Sequence, residues 1–189
     1  MTMKNDSIMT TIRRELGVTT CNVGRLTEAY VAQPKQFDNF KSLQSLKDGD
    51  LEQHIDVYKQ YVDKFTEISA ALDGVDRSTP SQVGQFGRLK RDETYTLNSV
   101  YLHELFFRNV TSARSQVYTD SRAFMRLSSS FGEFKRWQDD FIASALAARD
   151  GWVITYGHTF LRNFVNAVVD DDASNVPVGC IPAIVIDMH

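Results

Sequence analysis

An apolar repeat that begins near residue 50 constrains this chain more than any other feature of its sequence. Aliphatic and aromatic residues recur there at intervals of four, three, four and three: Leu51, Ile55, Tyr58, Val62 and Phe65. Side chains at this spacing lie on one face of an α-helix. Asp48 or Asp50 is available to cap its first turn. The pattern predicts an amphipathic helix that runs to about Leu72.

A second helical pattern follows a stretch rich in turn-forming residues, 73–80. It begins at about Phe86 and repeats apolar residues as far as Phe106. Two helices joined by a loop predict a helical hairpin domain over residues 46–110. The residues before it, 1–45, show no steady period, and we interpret them as an N-terminal extension.

The second half of the chain has a different pattern. A polar, serine-rich stretch from Thr111 to Ser130 predicts a bridge between the two halves, and a third helix is expected from Phe131 to Ala148. Residues typical of β-strands then form three runs, 152–156, 163–169 and 181–186. This order predicts an α+β fold, with a small sheet in a C-terminal domain over residues 111–189.

The composition excludes several classes of protein. Hydrophobic residues make up 42% of the chain and charged residues 24%, which is typical of a globular domain. The formal net charge of −3 provides no basic surface for nucleic acid. No apolar run approaches the ~20 residues that cross a bilayer, so we expect no membrane partner. The polar residues of 1–10 favour a cytoplasmic location, and the distant Cys21 and Cys180 predict two buried thiols rather than a disulfide.

Three residues are candidates for chemistry because of their positions in these elements. His54 lies one helical turn before Tyr58 and two before Tyr61, whereas His103 lies within the second helix, before an aromatic pair. Each histidine is either a hydrogen-bonded core residue or a metal ligand. Asp187 ends the last apolar strand, where a carboxylate is either a satisfied loop cap or a site residue. Spacing alone does not decide between these interpretations.

Four blocks of the sequence, in the same order, resemble the iron/manganese superoxide dismutase family. Residues 51–62 and 97–107 are similar to the two metal-binding helices of that family, each with its ligand histidine. Residues 131–153 are similar to the long helix and the Gly-Trp strand that follow, and 181–187 to the strand that presents the ligand aspartate. The resemblance covers about residues 46–189.

The resemblance implies a helical hairpin packed on an α/β domain with a three-stranded antiparallel sheet, and a single Fe or Mn ion bound between them. His54, His103 and Asp187 would be the metal ligands, and superoxide the substrate. Tyr61 would be the catalytic tyrosine beside the open coordination position. Tyr58 is its rival, because the count from His54 to Tyr61 is one residue shorter than in the commonest members. The surrounding residues would be Tyr58, Phe107 and Trp152, and the protein would be a homo-oligomer such as a dimer.

The sequence also departs from the family at the metal site. The fourth ligand, a histidine four places after the aspartate, would fall beyond residue 189, so the C-terminal domain is expected to be truncated or shortened. His189 stands two residues too early for that role. Ser99 occupies the helix position of an outer-sphere glutamine, and the loop 170–172 is acidic, which predicts reduced or altered activity.

Two alternatives to the dismutase therefore stay open. The first is a non-enzymatic structural or interaction protein that keeps the fold with an incomplete metal site, since a fold does not by itself determine function. The second is another metal-dependent oxidoreductase or hydrolase that uses the same ligands. The sequence does not distinguish iron from manganese.

Overall fold

The computed structural model describes residues 33–37, 48–77, 79–110, 116–171 and 173–189. All of these residues belong to one compact unit. Most of the extension expected over residues 1–45, including Cys21, lies outside the described residues. The division of the remainder into a hairpin domain, 46–110, and a C-terminal domain, 111–189, stays a prediction.

Two long helices form the predicted hairpin. Helix α1 covers Asp48–Gly74 and helix α2 covers Val83–Asn109, with a one-turn 3-10 helix, Pro80–Gln82, before α2. The two long helices pack against each other. The apolar repeat of α1 is buried along one side, with Tyr58 and Val62 each only 1% exposed. The hairpin therefore follows directly from the periodicity of the sequence.

Two shorter helices follow, and the first was not predicted. Helix α3 covers Arg122–Phe131, within the stretch that we expected to be a polar bridge, and α4 covers Phe134–Ala148. The prediction fails because α3 has a single buried apolar residue, Leu127, which gives no clear helical period among the serines. The helix is also stabilised by a cap in which the Ser121 hydroxyl accepts a hydrogen bond from the Phe124 N–H at 3.2 Å. Gly132, at φ +86°, ends α3, so the predicted third helix begins at Phe134 rather than Phe131.

The three predicted strands form one antiparallel sheet, which confirms the α+β fold. Strand β1 covers Trp152–His158, β2 covers Asn163–Val169 and β3 covers Cys180–Asp187, in the spatial order β2-β1-β3. The central strand β1 is buried on both faces because helices α3 and α4 cover the sheet on one side and the hairpin lies on the other. Cys180 is a free cysteine, but it is partly exposed rather than buried as predicted.

The hairpin and the sheet share one hydrophobic core. Alternate residues of β1 contribute Trp152, Ile154 and Tyr156 to this core. At the end of α2, the Asn109 side-chain oxygen accepts a hydrogen bond of 2.6 Å from the Val185 N–H. This hydrogen bond helps to set the position of β3 along helix α2. In the described part of the chain, no helix has the length and apolar character needed to cross a membrane.

Candidate metal site

The predicted ligands line one cavity, which lies where the hairpin meets the end of the sheet. The cavity has a volume of about 710 Å³ and receives side chains from α1, α2, β1 and the C-terminal end of β3. His54 and His103 enter it from the two helices, and Asp187 enters from the last residue of β3. His54 and His103 are 49 positions apart in sequence and His103 and Asp187 are 84 positions apart, yet all three line the same cavity.

His103 is held in the orientation that a metal ligand needs. Its Nδ1 donates a hydrogen bond of 2.7 Å to the backbone carbonyl of Ser99, one helical turn earlier. A carbonyl can only accept, so in the neutral ring the lone pair is on Nε2, which points to Asp187 Oδ2 at 3.9 Å. Burial lowers the pKa of His103 and favours this neutral form.

Asp187 places a buried carboxylate between the two histidines. Its side chain is only 1% exposed, and Oδ2 lies 3.2 Å from Nδ1 of His54. Oδ2 is buried and accepts no hydrogen bond. Although burial opposes ionisation, His54 and the side chain and backbone of His189 hold the pKa of Asp187 below its ordinary value. A buried anionic oxygen without a hydrogen bond favours a cation beside it.

These donors fit the metal that the resemblance implies. Imidazole nitrogen and carboxylate oxygen are suitable ligands for iron and manganese. Among the described residues, however, no three histidine, cysteine, aspartate or glutamate side chains form a completed metal-binding group. The structure brings the three residues into one cavity, and their role as ligands stays a prediction.

His189 bridges two carboxylates at the mouth of the cavity. Its Nδ1 lies 2.5 Å from Asp187 Oδ1, and its Nε2 lies 2.7 Å from Asp171 Oδ1. Burial lowers the pKa of His189, but the two carboxylates raise it by more, above its ordinary value. An imidazolium that donates from both nitrogens has no lone pair for a metal. The acidic loop was visible in the sequence, but its contact with His189 was not.

Of the two candidate tyrosines, only Tyr61 lines the cavity. Its ring centroid lies 5.5 Å from that of His103, and its hydroxyl lies 2.8 Å from the hydroxyl of Tyr95. Tyr58 instead donates a hydrogen bond of 3.2 Å to Glu104 Oε1 and accepts one of 3.0 Å from the Lys35 N–H. The Tyr58 hydroxyl is therefore committed to a network in the core.

Tyr95 was missed in the sequence, although a signal for it was present. It lies four residues before Ser99 and eight before His103, so the three residues share one face of α2. The Ser99 hydroxyl donates to the Tyr95 carbonyl at 3.1 Å. Extending the helical period backwards from the predicted ligand would have identified this partner of Tyr61.

The two remaining predicted residues occupy different positions. Trp152 lines the cavity, is 1% exposed and meets the His103 ring edge-on, with 4.8 Å between centroids. Phe107 is fully buried, with its centroid 6.2 Å from that of His103, and packs in the core behind that ring. Trp152 thus shapes the cavity wall, whereas Phe107 supports the helix that carries His103.

The chain is similar to several proteins that carry the name superoxide dismutase. It is 31% identical over 165 residues to an iron superoxide dismutase of Aquifex pyrophilus, covering 83% of this chain and 75% of the relative. It is 32% identical over 135 residues to an iron superoxide dismutase of Cupriavidus metallidurans, covering 70% of this chain and 66% of that protein. A manganese superoxide dismutase of Haloferax volcanii is 27% identical over 110 residues. No family model matches the chain.

The fold and these relatives define the class of protein. A helical hairpin packed on a three-stranded antiparallel sheet carries the predicted ligands, and the Aquifex relative matches over most of the chain. The chain belongs to the iron/manganese superoxide dismutase family. The names of its relatives specify iron in two of these cases and manganese in the third.

Proposed function

We propose that this chain is a superoxide dismutase that converts superoxide to oxygen and hydrogen peroxide at one Fe or Mn ion. The observation that carries the proposal is the convergence of His54 and His103 on the buried Oδ2 of Asp187, at 3.2 and 3.9 Å. When bound, the metal would supply one-electron oxidation and reduction in alternation.

The residues around these ligands have distinct roles in the proposal. The Ser99 carbonyl keeps the His103 Nε2 lone pair directed into the cavity. Burial and the hydrogen bond to Tyr95 raise the pKa of Tyr61, so its hydroxyl stays protonated at the cavity wall, where it can donate a hydrogen bond to a bound molecule. Trp152 fills space beside His103 with apolar surface and limits the entry of water.

The charge at the cavity mouth favours a slow dismutase. Asp171 lines the cavity with a carboxylate whose side chain is 66% exposed. A negative charge at the entrance repels anionic superoxide, although the His189 imidazolium offsets part of it. We therefore expect the Asp171→Asn variant to react faster with superoxide, and the gain to shrink as salt is added.

A matched pair of variants tests the proposal. The full chain is prepared with Fe(II) or Mn(II), and bound metal and the rate of superoxide removal are measured on one sample. We expect about one metal ion per chain, and a loss of at least about tenfold in both readouts for Asp187→Asn. Asp170→Asn removes the same charge from an exposed residue of the neighbouring loop and should retain both. Equal metal content in the two variants would contradict the assignment of Asp187.

A non-enzymatic scaffold is the second candidate function. It is supported by the absence, among the described residues, of a completed group of three metal-binding side chains. A folded chain that binds neither iron nor manganese would favour this alternative. A chain that binds metal without removing superoxide would favour another metal-dependent reaction at the same ligands.

The proposal includes the assembly and location expected from the sequence. We propose that the protein acts in the cytoplasm as a homodimer, as the family resemblance implies. Light scattering on the purified chain measures the assembly, and a mass of about twice 21.5 kDa is expected. A monomer with full activity would contradict the dimer without affecting the metal site.

A further inference from the structure

A second cavity lies at the opposite end of strand β1 from the candidate metal site. It has a volume of about 600 Å³ and lies between helix α3 and the turn that joins β1 to β2. Its wall contains His158, the last residue of β1, whereas Trp152 at the metal site is the first. The two ends are six residue steps apart along the extended strand, or about 20 Å. The second cavity is therefore separate from the proposed dismutase chemistry.

The polar part of this cavity is basic. Arg126 contributes from α3 and Arg162 from the turn, together with His158 and the hydroxyl residue Ser129. Among the described residues that line the cavity, none is aspartate or glutamate. Two guanidinium groups within a chain of net charge −3 make a local positive site. Guanidinium groups bind phosphate and carboxylate oxygens in a planar, often bidentate geometry.

The backbone holds this basic turn in one conformation. Arg162 adopts φ +54°, and its N–H donates to the His158 carbonyl at 2.8 Å. The N–H and the hydroxyl of Thr159 both donate to the Gly179 carbonyl, at 3.1 and 2.6 Å, which ties the turn to the segment before β3. A fixed turn reduces the entropy that ligand binding would otherwise cost.

The hydrogen bonding of His158 leaves it a donor for an anion. Its Nδ1 accepts a hydrogen bond of 3.2 Å from the Leu161 N–H, so the proton of the neutral ring is on Nε2. The lining also includes the apolar side chains of Phe164, Ile181 and Pro182. The cavity thus offers cations and a donor to one part of a ligand and carbon surface to another.

We propose that this cavity binds an organic phosphate monoester. The charge of two guanidinium groups matches the dianion of a monoester, and the apolar wall accommodates its carbon substituent. The volume lies within the range of small-molecule sites. The same phosphate monoester group occurs on free metabolites and on a lipid headgroup, so the cavity could recognise it in either kind of molecule.

Binding to the full-length protein tests this proposal in two arms. In the first arm, glycerol 3-phosphate is titrated into the isotope-labelled protein, and the chemical shifts of its backbone amides are followed by NMR. Glycerol is the uncharged control. In the second arm, sedimentation is measured with vesicles that contain phosphatidic acid, against vesicles of phosphatidylcholine alone. We expect saturable shifts for residues of the β1–β2 turn, and the second arm decides whether a lipid-borne monoester also binds.

Matched arginine variants complete the test. Arg126→Gln and Arg162→Asn should each weaken binding about tenfold, and Asn tolerates the positive φ of residue 162. Arg122→Gln removes the same charge from α3 at a position that does not line the cavity, and should bind as the unaltered chain does. Absence of saturable binding in both arms, or binding that survives loss of both Arg126 and Arg162, would overturn the proposal. Dismutase activity is not a readout of this test.

Discussion

Trp152 and Asp187 face each other across the antiparallel pair of strands β1 and β3, the first residue of one opposite the last residue of the other. The pairing places the indole and the carboxylate at the same end of the sheet, where both line the cavity beside His103. The Met188 N–H then donates to the Gly151 carbonyl at 2.9 Å, which continues the pairing one step beyond the strands. The position of Asp187 is therefore fixed by backbone hydrogen bonds of the sheet.

Gly151 is required for this arrangement. Its φ is +107°, and a Cβ at this position would lie 2.4 Å from the Val169 carbonyl oxygen. Any larger residue would both strain the backbone and push strand β2 away from β1. The end of the sheet that presents Trp152 and Asp187 therefore depends on a single glycine.

We predict that metal binding raises the stability of the folded chain. The three proposed ligands come from two helices and one strand, so an ion bound by all of them links the hairpin to the sheet. A ligand that binds only the folded state stabilises it by about 2.7 kcal/mol when present at roughly 100 times its dissociation constant. Urea unfolding followed by circular dichroism, with and without Mn(II), measures this difference.

The control for this prediction is the variant without the proposed anionic ligand. Asp187→Asn should be stabilised by Mn(II) by at least about 1.3 kcal/mol less than the unaltered chain, as a tenfold weaker site requires, whereas Asp170→Asn should be stabilised as fully as the unaltered chain. Equal stabilisation of both variants would place the ion elsewhere in the protein.

We predict that Tyr61 and Tyr58 respond differently to loss of the hydroxyl. Tyr61→Phe should retain bound metal and lower the rate of superoxide removal severalfold, because its hydroxyl lies at the cavity wall. Tyr58→Phe should keep the activity and lower the free energy of unfolding by about 1–2 kcal/mol, because Glu104 loses a buried hydrogen bond. The reverse pattern would make Tyr58 the catalytic tyrosine.

A double-mutant cycle assigns the role of Tyr95. Its hydroxyl contacts the Tyr61 hydroxyl at 2.8 Å, so we expect Tyr95→Phe to lower the activity less than Tyr61→Phe does. If Tyr95 acts by positioning Tyr61, the double variant should resemble Tyr61→Phe alone. Additive losses would instead give Tyr95 a separate role.

We predict that Glu104 stabilises the hairpin through a partly buried ion pair, in which the Lys35 side chain is 52% exposed. Its carboxylate binds the Lys35 ammonium and the Tyr58 hydroxyl, and its side chain is only 11% exposed. Glu104→Gln should lower the free energy of unfolding by about 1–2 kcal/mol, because the change weakens the buried hydrogen bond from Tyr58, whereas water screens the half-exposed ammonium of Lys35. Urea denaturation measures the loss.

An exposed ion pair on the same hairpin provides the comparison. Asp56 and Lys59 lie 2.9 Å apart on α1, with side chains 68% and 53% exposed. Asp56→Asn should change stability by less than about 0.5 kcal/mol, since water screens such pairs. A similar loss in the two variants would mean that the burial of Glu104 adds nothing to its interaction.

The elements that have a strong local pattern could be predicted from the sequence. The helical period from Leu51 predicted α1, and the three apolar runs predicted the three strands. The resemblance then selected His54, His103 and Asp187, which share one cavity. These features were predictable because each depends on residues close together in the chain or on motifs in a known order.

Contacts between side chains of different elements could not be predicted in this way, because they depend on how the elements pack in three dimensions. The bridge from Asp187 through His189 to Asp171 joins the end of β3 to a loop that follows β2, and no local pattern encodes it. The pairing of Tyr61 with Tyr95 likewise depends on how α1 packs against α2. The basic cavity requires Arg126 of α3, a helix that the sequence analysis missed, to lie beside the turn that carries Arg162. Such contacts arise from packing between distant segments, whereas sequence periodicity reports only which face of each segment is buried.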